Sequence, residues 1–200
     1  MIKVSLMLCL SFLLTGCFNL GERRESSTVV YYVLNDTAVP VQAPPIRVDA
    51  PTLLVLDTTT ARFYDTDQLI FSRKEGTRGQ YQFARWTERP GKRFAELMRT
   101  RLDQQRAWRV SAAGGYVRGD VLLDTELVEF YHDATNNPGV VRLELRAELV
   151  DLKTRTLLSR RHFKQDVLLT TYDAAGTAKA SNQAVGRALD ELTAWLATFR

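Results

Sequence analysis

The groups that could do chemistry in this 200-residue chain are few: two cysteines, Cys9 and Cys17, two histidines, His132 and His162, and scattered carboxylates. A zinc site takes three or four His, Cys or carboxylate ligands at close spacing. Neither histidine has a partner at motif spacing, so no metal and no cofactor is expected. Glu126, Glu129 and Asp133 invite a paired-carboxylate reading, but on a regular strand Glu126 and Glu129 point to opposite faces. Only a bulge would bring them together, and the apolar pattern does shift phase where Leu127 and Val128 stand side by side. Solvated strand charges are the simpler account. The run Gly114-Gly115-Tyr116-Val117-Arg118-Gly119 has the glycines of a phosphate loop, yet it precedes a strand, so no helix N-terminus is there to receive an anion. No GxSxG or SxxK motif occurs. An enzyme is not expected; a hydrolase would have to run on His132 or His162 without visible help.

Cys17 is different because of what precedes it. The chain opens MIKVSLMLCLSFLLTGCFNL, with Lys3, an apolar run from Val4 to Leu14 and small residues before Cys17. That is the pattern of a secretory signal peptide, and the run is shorter than the roughly 20 apolar residues of a spanning helix. Leu14-Thr15-Gly16-Cys17 resembles the lipobox of bacterial lipoproteins. The resemblance implies a diacylglyceryl group on the Cys17 thiol, cleavage before that residue with loss of residues 1–16, and an anchor of palmitate-type chains. Each buried lipid methylene contributes roughly 0.8 kcal/mol, so several chains hold firmly. Cys9 would leave with the signal, and the mature domain must then fold without a disulfide. Phe18 follows the cysteine where aspartate would commonly mark inner-membrane retention, which leans towards the outer membrane. The net charge of +4 is small and its cations are dispersed, so the footprint of a nucleic-acid binder is missing.

These features need a scaffold. Residues 17–28 are polar and charged after Phe18, the composition of a flexible tether; eleven residues reach at most about 35 to 40 Å. A single α+β domain is expected over residues 29–200, a mixed and largely antiparallel β-sheet covered by two main helices. Strands are expected at 29–34, 53–56, 68–71, 80–83 and 108–112, followed by three long ones at 120–132, 140–152 and 156–168. The middle long strand is the clearest, because Val141, Leu143, Leu145, Ala147 and Leu149 alternate with Arg142, Glu144, Arg146 and Glu148. Asn136-Asn137-Pro138-Gly139 and Lys153-Thr154-Arg155 read as hairpin turns. Pro90 opens one helix, to Gln105, with Phe94, Leu97, Met98 and Leu102 on one face; a second runs from about Ala178 to Phe199.

The order of several short pieces resembles the ABC-type transport auxiliary lipoprotein family. They are Tyr31-Tyr32-Val33-Leu34, the strand at 53–56, Gln68-Leu69-Ile70-Phe71-Ser72-Arg73, and Tyr81 to Pro90 with its Arg-Trp-x-x-x-Pro element. Trp108-Arg109-Val110, the strand beginning at Asp120, Leu149-Val150-Asp151 and Leu192-x-x-Trp195 follow in family order. The chain departs from the pattern at 57–65, where three threonines run together. The resemblance implies a non-enzymatic, periplasm-facing lipoprotein, docked at the outer membrane, that serves an ABC transporter or a lipid-conducting MCE-domain protein and can form a homo-oligomeric ring. Tyr64, Tyr81, Arg85 and Trp86 are candidate partner contacts, since Tyr, Trp and Arg are enriched at interface hot spots. The plainer reading places Trp86 in the core beside a helix start and Tyr81 in phase with Phe83 on a core face. The alternative role is an outer-membrane lipoprotein that regulates a cell-wall synthase or envelope assembly by protein binding.

Overall fold

The computed structural model describes residues 28–38, 45 and 48–199. The signal peptide, Cys17 and nearly all of the tether lie outside the described residues. Chain order is β1 (Val30–Tyr32), β2 (Thr52–Val55), β3 (Thr59–Thr60), β4 (Gln68–Ser72), β5 (Gly79–Trp86), α1 (Pro90–Gln105), β6 (Arg109–Ala112), β7 (Val121–Asp133), β8 (Val140–Asp151), β9 (Thr156–Leu168) and α2 (Ala174–Leu196).

The alternation of β8 decides the architecture. Val141, Leu143, Leu145, Ala147 and Leu149 are all buried, while the residues between them face outward. With β7 and β9 antiparallel on either side of β8, the three form a long meander. The other edge of β7 is shared end to end: β2 pairs with its first residues, β3 with Glu126 and Leu127, and β4 with His132 and Asp133, all parallel. Beyond them β6 extends the sheet from β2, and β5 then β1 extend it from β4. Five of the eight pairings are thus parallel, although the long registers are antiparallel.

Both helices lie on the apolar face of this sheet. Phe94, Met98 and Leu102 of α1 join Val185, Leu189, Leu192 and Trp195 of α2 in one core with the inward residues of β7, β8 and β9. Pro90 occupies the first turn of α1, where its missing N–H has no partner to lose. Gly91 is needed beside it, because a Cβ there would press on Thr60 Cγ2 and the Thr58 carbonyl. The second helix starts four residues earlier than its apolar spacing predicts. Asp173 caps it, its carboxylate accepting from Gly176 N at 2.6 Å.

The N-terminal strand is shorter than the apolar run VVYYVL predicts, because after Tyr32 the chain leaves the sheet and crosses the helices. Leu34 is buried, its carbonyl accepts from Arg93 Nε, and Asn35 N donates to Asn182 Oδ1. Asp36 then accepts two bonds from Arg101, whose third goes to Asp190. This strap, residues 33–38, ties α1 to α2.

The threonine run that departs from the family pattern contains β3. Thr58 Oγ1 meets Thr125 Oγ1 at 2.8 Å beneath it, a buried polar contact between inward-facing residues.

Candidate functional site

The polar groups the sequence singles out fall on both faces of β7. The phase shift in its apolar pattern is a bulge between Leu127 and Glu129. It turns Glu126 and Glu129 to the same outward face, where each meets a different arginine: Glu126 pairs with Arg146, and Glu129 with Arg78 at 3.2 Å. Asp133 pairs with Arg142 at 3.0 Å. Across β8 and β9 the pattern continues, Glu148 with Arg160 at 2.8 Å and Glu144 with both His162 and Lys164. Burial works against the charge on Glu144, but hydrogen bonds from His162 and Lys164 and the Lys164 ammonium outweigh it and hold the carboxyl below its usual range. The outward face is therefore a cross-strand ladder of ion pairs, and these carboxylates are matched by cations rather than by each other.

His132 sits on the inward face with no exposed surface. Its Nδ1 lies 2.8 Å from Tyr81 Oη and 3.2 Å from Thr177 Oγ1, partners 51 and 45 residues away in sequence. The Thr177 hydroxyl donates to the Asp173 carbonyl at 2.8 Å, so its proton is committed to the first turn of α2. Burial pushes the imidazole below its ordinary value, against the opposing pull of the Pro138 carbonyl and Asp133, and pushes the Tyr81 phenol up. The result is a buried network of neutral groups near pH 7, in which no carboxylate among the described residues hydrogen-bonds the ring. A cavity of about 300 Å³ opens next to it, lined by Phe71, Arg73, Gln80, Tyr81, Gln82, Ala134 and Tyr172. Among the described residues no group of three or more His, Cys, Asp or Glu could hold a metal ion.

The four candidate contact residues do not form one surface. Tyr81 is half-buried against the core, but Phe83 is 41 % exposed, because the register of β5 against β4 is irregular and breaks their alternation. Trp86 is 3 % exposed and stacks on Phe130 with ring centroids 5.9 Å apart. Tyr64 is buried as well; its hydroxyl accepts from Arg78 Nε at 2.9 Å, and the same guanidinium lies 3.7 Å over the Tyr131 ring. Arg85 reaches the surface, bonded to Asp67 at 2.9 Å. Its register partner on β1 is Tyr31, 60 % exposed, an aromatic the hot-spot argument passes over. Only its edge position in the sheet marks it out.

A model of the ABC-type transport auxiliary lipoprotein component family matches residues 32–193. The fold is shared with the crystal structure of protein XCC0632 from Xanthomonas campestris, at 20% identity and a TM-score of 0.75, covering 84% of this chain and 94% of that one. An uncharacterized protein of known structure matches at 13% identity and a TM-score of 0.67, over 84% of this chain and 99% of that one. The hypothetical protein CT253 from Chlamydia trachomatis matches at 9% identity and a TM-score of 0.54, over 74% of this chain and 96% of that one. No curated protein matches the sequence. From the strap to the last turns of α2, the chain belongs to the ABC-type transport auxiliary lipoprotein component family.

Proposed function

We propose that this protein is a membrane-anchored, periplasm-facing lipoprotein that acts without catalysis as a docking component of an ABC-type or MCE lipid transport system. The observation that carries the reading is the family match across residues 32–193. Two features support it. The LTGC element at residues 14–17 supplies a thiol for acylation, with Phe18 favouring the outer membrane. The polar groups of the sheet are tied up in ion pairs and buried hydrogen bonds, a rigid body suited to holding a partner. The partner would meet the β1–β5 edge around Arg85 and Tyr31, with Tyr81 and Trp86 of β5 packed beneath it and Tyr64 set apart against Arg78. A ring of identical subunits is part of the reading.

Light crosslinking of the tagged, lipidated protein in its native envelope, followed by mild-detergent purification and mass spectrometry, tests the docking role. A transporter subunit or MCE-domain protein in crosslink-dependent excess is the expected result. Cell-wall synthases in its place, with no transport component, would replace this reading by that of an envelope regulator. The anchor has a separate test: Cys17→Ala is expected to abolish acylation and release the protein from salt-washed membranes.

A further inference from the structure

The sheet has two ends, and the one at the start of β7 gathers exposed apolar and basic residues on two adjacent loops. There Val121 pairs with Asp151, and Asp151 with Thr156, so the β6–β7 loop and the β8–β9 turn emerge side by side. Leu152 N donates to the Asp120 carbonyl at 3.0 Å, and a Cβ on Gly119 would touch Leu152 Cδ1, which fixes the two loops against each other. Tyr116 at the tip of the first loop is fully exposed; Leu157 and Leu158 beside the second are 50% and 43% exposed. Arg118, Lys153 and Arg155 stand among them, exposed.

Their charges differ from those of the meander's outward face. Along the outward face Arg78, Arg142, Arg146, Arg160 and Lys164 each have a carboxylate. Arg118, Lys153 and Arg155 make no ion pair with any described residue. Asp120 and Asp151, the acids that flank the two loops, accept backbone bonds from Thr52 N and Thr154 N, each at 2.7 Å.

We propose that this end of the sheet is a docking surface for an anionic phospholipid membrane. Exposed leucines and a tyrosine between unpaired cations match a bilayer interface, where acyl chains take the apolar groups and lipid phosphates take the charges. Lysine and arginine each strengthen partition onto an anionic surface roughly fivefold. An acidic protein would satisfy the cations, but it would leave two leucines at the start of β9 without a reason to be exposed. The inference rests on the reading that the chain works at a membrane, and it adds an orientation. A tether of about 35 to 40 Å leaves every face free to approach the bilayer; this patch would select one, and it lies at the end of β7 opposite the β4–β5 turn.

The test uses a chain starting at residue 17 with Cys17→Ser, which has no acyl group and keeps the whole core, Leu34 to Leu196. Its co-sedimentation is compared on phosphatidylcholine vesicles with and without phosphatidylglycerol. Binding is expected only with phosphatidylglycerol and is lost in about 1 M salt, where the screening length is near 3 Å. Arg118→Glu/Lys153→Glu/Arg155→Glu should weaken it at least tenfold with an unchanged melting temperature. Arg62→Glu/Arg73→Glu/Lys74→Glu, an equal change of charge away from this end, should leave it in place. Leu157→Ser/Leu158→Ser should lower binding while the salt dependence persists. Equal binding to both vesicle types, equal losses in the two charge-reversal variants, or retention of an acidic protein but of neither vesicle would each overturn the proposal. None of these outcomes bears on the crosslinking result, so a failed membrane surface and a failed docking role are told apart.

Discussion

The two faces of the β7–β8–β9 meander carry polar groups in opposite ways. Outward, cations and carboxylates alternate across the strands and stay partly hydrated, as for Arg160 and Glu148 with side chains 54% and 28% exposed. Inward, the polar groups are few, and several are held by partners from distant parts of the chain: His132 with Tyr81 and Thr177, Thr125 with Thr58, and nearby Arg101 with Asp36 and Asp190. Water compensates for a lost partner on the first face but cannot on the second. Removing one partner therefore costs little outside and much inside.

Substitutions along a single strand give this contrast its sharpest form. Phe163 on β9 is wholly buried and packs edge-on to Trp195 at 5.9 Å, so Phe163→Ala should cost about 3 to 5 kcal/mol in denaturant unfolding. Lys164→Ala, one residue on, should change stability by less than about 1 kcal/mol. If both cost the same, the meander is not one-sided. Arg101→Ala comes next at about 2 to 3 kcal/mol, since it strands Asp36 while Asp190 remains largely hydrated. A loss as small as that of a surface pair would mean the strap does not bind the helices.

A smaller effect is expected from acid. The folded-state pKa of His132 is lowered, so the unfolded chain takes up its proton first as pH falls. The stability tied to the neutral ring is complete above the ordinary value of about 6.5 and is lost as pH drops below it. The melting temperature should fall between about pH 7.5 and 5.5, and His132→Asn, which keeps an acceptor for Tyr81, should flatten the curve. An unchanged slope would show that the ring is not the inward face's sensitive group. The smallest effect should come from Glu148→Gln, less than about 1 kcal/mol and fading with salt.

Much of this was written locally in the sequence. The alternation of β8 gives its buried face, Pro90 marks the start of α1, and the adjacent Leu127 and Val128 announce the bulge. Local patterns repeat at the period of the element that carries them, so they survive without knowledge of the fold. What stayed hidden depends on contacts far apart in the chain. Two threonines make β3 only because β7 offers an edge, and His132 looks unpartnered until β5 and α2 bring Tyr81 and Thr177 to it. Tyr81 and Phe83 separate because of an irregular register with no local signature in their own residues. The core position of Trp86 is the plainer reading of its place beside a helix start, but its stack on Phe130 requires the β4–β7 pairing.

The strap also decides where a mechanical load would end. A pull on the chain ahead of Thr28 meets only three paired residues in β1, too short a seam to resist peeling. Behind it stand a buried leucine, two asparagine bonds and the Asp36–Arg101 clamp. Tension would thus pass around the sheet's edge into the helix pair.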